Sequence, residues 1–289
     1  MKSKKLNFVF WGTPEVASET LEILKESGFL PSLIVTSPDK PQGRKMLITP
    51  PSVKIWAEKN SIPCIQPEKL EKEMAVINKN GLETDLFIVV AYGKIIPENI
   101  LNIPKLGSIN IHYSLLPKYR GASPVESAIL NGETETGVTI QKMEYKMDSG
   151  PIIAKEKTEI FPDEKAPELR KRLIKIGGEL LVKTLNTSEG WVGLQQNESE
   201  ATFCQKIKKE DGLIDLNSDA VKNYNKFRAY ATWPRTFFFK NDKRIIITDA
   251  VLENNQFIIK KVLPEGKKEI SWEIFQNKLY KKNLRNFRC

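Results

Sequence analysis

Leu86-Phe87-Ile88-Val89-Val90-Ala91-Tyr92 is an uncharged, almost wholly apolar run. A strand with one wet face alternates apolar and polar residues; a strand covered on both faces does not, and this run reads as the second kind. Upstream, Leu6-Asn7-Phe8-Val9-Phe10-Trp11-Gly12 is a similar short strand. Thr13 and Pro14 suit a helix start, with apolar positions at Val16, Leu21, Ile23 and Leu24 before a stop at Gly28. Residues 32–36 read as a second strand, 53–59 as a helix, 62–65 as a short strand and 71–80 as a helix leading into the opening run. Strand and helix alternate throughout, which predicts an α/β domain: a Rossmann-like parallel sheet with helices on both faces.

The pattern continues with a strand over 108–113, a helix over 124–130, strands over 138–143 and 152–160, and a long helix over 168–185. Residues 186–205 are polar and lose helical period. Beyond them, short β runs at 236–240, 244–249 and 255–262 are separated by Asn-Asp, Asn-Asn and Pro-Glu-Gly turns. The expected organisation is a catalytic domain over 1–189, a linker over 190–205 and a small all-β, OB-like barrel over 206–289.

No stretch is apolar enough to span a bilayer. The N-terminal apolar run is too short for a secretory signal core, so a cytoplasmic, soluble protein is expected. Cys64, Cys204 and Cys289 are widely spaced and form no CxxC pair, which suits a reducing compartment and suggests no metal site. The chain carries a formal charge of +9, and all of that excess lies in residues 205–289, with 19 Lys and Arg against 10 Asp and Glu. A basic appendage on a neutral body fits polyanion binding through counterion release. A lysine-rich solvated surface gives the same count, and charge alone leaves both readings open.

His112 is the only histidine. In Ser108-Ile109-Asn110-Ile111-His112, period-two alternation puts Asn110 and His112 on one face and the isoleucines on the other. At the carboxyl end of a parallel strand, such a pair lies where open α/β sheets bind ligands, although for a lone histidine a structural pair satisfied by neighbouring backbone is the favoured reading.

The stretch that follows, His112-Tyr113-Ser114-Leu115-Leu116-Pro117-Lys118-Tyr119-Arg120-Gly121, has the pattern H-x-S-L-L-P-x-x-x-G directly after Asn110. It resembles the signature of the folate-dependent formyltransferases. That resemblance implies 10-formyltetrahydrofolate as cosubstrate, no metal, and a catalytic trio of Asn110, His112 and Asp148, the last in Met147-Asp148-Ser149-Gly150. It further implies that Ser114, Leu115, Leu116 and Pro117 contribute to the folate site, with Tyr92 and Ile95 in a loop enclosing the pteridine. The residue types suit formyl transfer: Asn110 and His112 are donors for an oxygen that gains charge, and Asp148 can orient His112 and relay a proton.

Two further stretches resemble the tRNA-formylating members of that family. Ser37 to Pro50 is similar to their acceptor-end loop, with Lys40, Arg44 and Lys45 as tRNA contacts; a plain surface loop is the alternative. Phe227-Arg228-Ala229-Tyr230-Ala231-Thr232-Trp233-Pro234 is similar to the opening of their C-terminal domain, with Arg228 a tRNA contact and Trp233 a core residue. Together these imply initiator methionyl-tRNA as acceptor, in translation initiation, with no stable protein partner. A nucleotide-amino-sugar N-formyltransferase is the rival acceptor class. A catalytically silent folate- or RNA-binding protein would be expected to lack part of the trio.

Overall fold

The computed structural model describes residues 6–43, 46–70, 83–187 and 191–277. Its largest sheet is built from β1 (Phe8–Gly12), β2 (Leu33–Val35), β5 (Cys64–Ile65), β6 (Leu86–Val90), β7 (Ser108–His112), β9 (Glu135–Lys142) and β10 (Ile152–Glu159). These seven strands lie in the order β10-β9-β7-β6-β1-β2-β5. The five from β5 to β7 are parallel, as the sequence predicted. The sheet as a whole is mixed, because β9 runs antiparallel to β7. Every residue of β1 and β6 is buried, which explains why neither alternates. Each large apolar side chain so covered contributes on the order of 1.5–3 kcal/mol. Two short strands, β8 (Arg120–Gly121) and β11 (Phe203–Cys204), pair outside this sheet.

Chain order reverses at β1: β2 and β5 lie to one side, β6 and β7 to the other. That reversal opens a crevice at the carboxyl ends of the strands. Thr13, just past β1, donates through Oγ1 to the Tyr92 carbonyl at 2.9 Å and lies 3.1 Å from the Ser37 hydroxyl. The loops leaving β1, β2 and β6 are thereby tied together. Helix α1 (Glu15–Glu26) buries Ala17, Thr20, Leu21 and Leu24, and Gly28 follows it at φ +85° in the left-handed region. Trp56 of α2 (Ser52–Lys59) donates through Nε1 to Glu22 at 2.6 Å, joining the two helices. The helix expected over 71–80 lies outside the described residues. The loop after β2 holds a small hairpin that the sequence did not suggest, β3 (Lys40–Gln42) with β4 (Leu47–Thr49). A four-residue helix, α3 (Glu98–Leu101), precedes β7.

The chain folds into two compact units. The first comprises Met1–Gly121, Gly137–Thr158 and Lys171–Phe203; the second comprises Ala122–Thr136, Glu159–Arg170 and Cys204–Cys289. The division is interleaved, whereas the sequence suggested a single break. Most of the polar stretch expected as a linker, up to Phe203, belongs to the first unit: Leu194 exchanges two backbone hydrogen bonds of 2.8 Å with Ile152.

In the second unit, β12 (Phe237–Lys240), β13 (Lys243–Glu253), β14 (Gln256–Pro264) and β15 (Ile270–Ser271) form an antiparallel sheet in that order. Asn241-Asp242 and Asn254-Asn255 all have positive φ, the conformation of tight hairpin turns. The module is not all-β. Besides α4 (Pro124–Leu130), it holds the C-terminal helix α6 (Ala220–Ala229), whose Tyr224 and Phe227 join the apolar cluster of Phe238, Ile245, Ile247, Ile259 and Val262. Tyr, Asn and Phe weaken a helical pattern in sequence, and tertiary packing supplies the stability that propensity does not.

The long helix α5 (Ala166–Leu185) packs closely within the first unit through glycine. A β-carbon on Gly177 would meet Ile111 and Val138 at 3.2 Å, and one on Gly178 would meet Ile23 at 2.6 Å. The tightest approach within the sheet is at Gly137 of β9, where a β-carbon would fall 2.2 Å from the Glu156 carbonyl oxygen and 2.5 Å from Leu115. Gly137→Ala is expected to destabilise the protein by about 1–3 kcal/mol through forced backbone displacement. Thermal unfolding checks this, and an unchanged melting temperature would refute the packing described at β9.

Candidate active site

The site is assembled from β7, the loop that follows it, and the turn after β9. Asn110 and His112 share one face of β7, as alternation predicted. The antiparallel register sets Gln141 opposite Asn110 and Thr139 opposite His112. Directly opposed residues present their side chains on the same face, so Gln141 joins the trio there. Asn110 is half-buried, and its Oδ1 is buried with no hydrogen-bond partner among the described residues.

His112 is 5% exposed. Its Nε2 lies 2.8 Å from the backbone carbonyl of Tyr119. A carbonyl only accepts, so Nε2 carries the proton and donates, leaving Nδ1 as the nitrogen with a lone pair in the neutral ring. Nδ1 lies 3.6 Å from Asp148 Oδ2. That oxygen accepts the Gly121 backbone N–H at 2.8 Å, while Oδ1 accepts from Gln141 Nε2 at 2.9 Å. The structure thus brings together the three residues proposed from the sequence.

Two of the supporting positions have a left-handed backbone without being glycine: Tyr119 at φ +60° and Asp148 at φ +52°. Such residues are uncommon and gather at functional sites, where the surrounding fold holds them. Gly150 closes the Asp148 turn; a β-carbon there would sit 1.9 Å from the Lys142 carbonyl oxygen.

The residues expected around a folate are placed unevenly. Ile95 is 73% exposed, and Leu115 and Pro117 are half-buried. The Ser114 hydroxyl donates to the Lys118 carbonyl at 2.5 Å, and Leu116 is fully buried. Tyr92 is 2% exposed, with its ring edge-on to Trp11 at 5.2 Å. Its side chain therefore belongs to the core, contrary to its expected role as a ligand contact, and the loop offers Ile95 instead. An apolar loop ending a buried strand reads alike in both roles, which is why the sequence did not separate them.

Lys40 begins the β3–β4 hairpin. The base of that loop is fixed by Asp39, which accepts from Lys54 at 2.9 Å and from Gln66 at 2.6 Å; both bonds hold its carboxyl below the usual range, Gln66 the more strongly. Arg44 and Lys45 lie outside the described residues. Arg228, expected on the tRNA surface, is 5% exposed and faces inward. Its guanidinium donates to the carbonyls of Phe161 and Glu164 at 3.2 and 3.3 Å and to Asn225 Oδ1 at 2.7 Å, and lies over the Tyr224 ring. Trp233, expected in the core, is 55% exposed. A residue count registers charge and ring area, not the face of the helix or turn that carries them.

Sequence reasoning missed Gln141, Arg120 and Gln196. Gln141 is 2% exposed in a β strand, and alternation in Val138-Thr139-Ile140-Gln141 was the available signal. Arg120 is 1% exposed and paired with Glu198 at 2.7 Å. The bond from Arg120, aided by one from Lys146, holds the Glu198 carboxyl down at about 2.

Comparison with known proteins bears on the family of the chain. The formyl transferase family model matches residues 4–185, and the formyl transferase C-terminal domain model matches residues 206–267. A methionyl-tRNA formyltransferase of Thermotoga maritima is 45% identical over 231 residues, 79% of this chain and 74% of that protein. One from Staphylococcus epidermidis is 39% identical over 84% of this chain and 79% of its own length. Among solved structures, a Helicobacter canadensis N-formyltransferase in complex with folinic acid and dTDP-3-aminofucose has a TM-score of 0.65 at 22% identity, covering 86% of this chain and 88% of that one. A methionyl-tRNA formyltransferase from Clostridium thermocellum has a TM-score of 0.64 at 20% identity, covering 92% and 99%. At those identities the structural likeness speaks for the fold.

Arg228→Ala is expected to destabilise the second unit by about 1.5–3 kcal/mol, the range for hydrogen bonds to charged groups. A lowered melting temperature checks this. A protein of unchanged stability that bound polyanions more weakly would instead return Arg228 to the surface role.

Proposed function

The chain belongs to the methionyl-tRNA formyltransferase family, and we propose that it transfers the formyl group of 10-formyltetrahydrofolate to the free amine of initiator methionyl-tRNA. The product, N-formylmethionyl-tRNA, serves translation initiation. The observation that carries the reading is the His112–Asp148 pair, its imidazole buried, on the strand face shared by Asn110, whose Oδ1 is unpartnered among the described residues, in a chain with 45% identity to a protein of that name.

The cosubstrate supplies a formyl carbonyl open to attack by an amine. An unpaired buried acceptor is costly to leave unsatisfied, and a bound N–H group would relieve that cost at Asn110 Oδ1. The Asn110 amide N–H groups are donors suited to an oxygen that gains negative charge. Ile95, Leu115 and Pro117 provide apolar surface for a flat ring. With Nε2 donating to the Tyr119 carbonyl, the neutral His112 ring has its lone pair on Nδ1, and in this reading that nitrogen takes a proton from the attacking amine. The Asp148 carboxylate at 3.6 Å is the counter-charge for the ring once protonated. Both Asp148 oxygens accept hydrogen bonds, which hold the carboxylate in its orientation toward the ring.

His112→Ala and Asp148→Ala are each expected to reduce formyl transfer at least about 100-fold without unfolding the protein. The assay is single-turnover transfer of labelled formyl to charged initiator tRNA, run beside a dTDP-amino sugar as rival acceptor. Wild-type turnover by folded His112→Ala would defeat the mechanism, and faster formylation of the sugar would defeat the acceptor assignment.

The loop between β2 and α2 gives an independent test. Arg44→Ala is expected to lower kcat/KM for methionyl-tRNA and leave folate affinity unchanged, since a guanidinium suits phosphate or a base edge. A lost phosphate contact would reduce the salt slope by about one unit. Equal efficiency across a salt series would remove the loop from acceptor recognition.

A further inference from the structure

We infer that Gln196, from the polar stretch after the long helix, is a positioning residue for formyl transfer, fixing through Gln141 the orientation of the Asp148 carboxylate. This rests on the trio proposed above and extends it to a segment that sequence reading treats as a tether.

Hydrogen-bond direction carries the inference. Arg120 is buried and its guanidinium can only donate. Its Nε and Nη2 lie 3.1 and 2.8 Å from Gln196 Oε1, so that end of the amide is the oxygen. The other end must then be the NH2 group. It donates to the backbone carbonyls of Asp148 at 2.9 Å and Gly150 at 2.8 Å, and reaches toward Gln141 Oε1 at 3.4 Å. With its oxygen facing Gln196, the Gln141 amide must present its NH2 to Asp148 Oδ1, where it donates at 2.9 Å. Each amide could be turned over if taken alone, and a turned Gln141 would set an oxygen against a carboxylate. The guanidinium at the head of the chain forbids this. Direction therefore passes from Arg120 through Gln196 and Gln141 to Asp148, which faces His112.

The same segment holds the other flank of the site. Thr202 Oγ1 accepts the Tyr119 N–H at 2.8 Å, and the Thr202 carbonyl accepts the Arg120 N–H at 2.9 Å. Tyr119 is the residue whose carbonyl binds His112 Nε2, and the residue after Arg120, Gly121, donates to Asp148. Residues 196–202 thus brace both the loop that orients the histidine and the turn that carries the carboxylate. All of these bonds lie within the first compact unit.

Two substitutions test the inference. Gln196→Met keeps the length and removes all hydrogen bonding; Gln196→Glu keeps an acceptor for Arg120 but replaces the donor. Both are expected to lower kcat per folded molecule on the order of 10- to 100-fold, as a displaced catalytic group does, with KM for each substrate within about 2-fold of wild type; the melting temperature of Gln196→Met falls because Arg120 loses two hydrogen bonds, so kcat is read below the unfolding transition. In a Gln141→Leu background, Gln196→Met should alter kcat by less than about 2-fold, because residues acting in one chain do not add. Wild-type kcat in Gln196→Met, rescue by Gln196→Glu, a loss that tracks the fraction unfolded, or equal losses in both backgrounds would each overturn the inference. The trio is checked separately with His112→Asn: full activity there defeats the underlying mechanism, whereas an inactive His112→Asn beside active Gln196 variants defeats only the positioning role.

Discussion

Asp148 is 11% exposed and 3.6 Å from an almost fully buried imidazole. Burying a carboxylate this far from water is costly unless its oxygens are hydrogen-bonded. That requirement accounts for much of what surrounds it. Gly121 offers a backbone N–H and Gln141 a side-chain donor, and the left-handed backbone at Asp148 turns the carboxylate toward both. Gly150 allows the turn to lie against the Lys142 carbonyl, where any larger residue would collide with it. Arg120 places a compensating positive charge in the same region, itself paired with Glu198 at the surface.

The sheet core was legible because burial on both faces leaves a mark in composition. β1 and β6 could be read from unbroken apolar runs, and helix α4 from its Pro start and apolar period. Asn110 and His112 were legible from alternation, and Asp148 only through resemblance, since no local pattern links a turn residue to a strand 36 positions earlier. The direction of β9 was not legible, because a strand's period is the same whether it runs parallel or antiparallel. That direction matters, since the antiparallel register is what sets Gln141 opposite Asn110; a slip of one residue would turn Gln141 to the other face.

The misplaced residues share one cause. Arg228, Tyr92 and Trp233 are amphipathic: each has a large apolar body and a polar tip, and each can sit either way up. Arg228 lies inward because three acceptors, two of them backbone carbonyls, meet its guanidinium there. Burial pulls its pKa down, yet those acceptors and the Asp163 and Glu164 charges keep the cation in place. Tyr92 lies inward because Trp11 receives its ring. The Trp11 ring and the Phe161 and Glu164 carbonyls lie far from these residues in sequence, so no window of local pattern could have decided it.

Hydrogen-bond direction at the site also divides the chemistry between the two nitrogens of His112. Had Nε2 faced a hydroxyl, either tautomer would fit, and the ring could present a donor or an acceptor to Asp148. A backbone carbonyl removes that freedom: Tyr119 contributes an acceptor that cannot change sign. In the proposed reaction Nδ1 is then the nitrogen available to a proton, beside a carboxylate whose two oxygens are already occupied by Gly121 and Gln141. Those two donors hold the carboxylate in place, so that in the proposed reaction it acts by charge and orientation. The division of labour therefore rests on groups that no catalytic signature contains: one carbonyl, one backbone N–H and one amide.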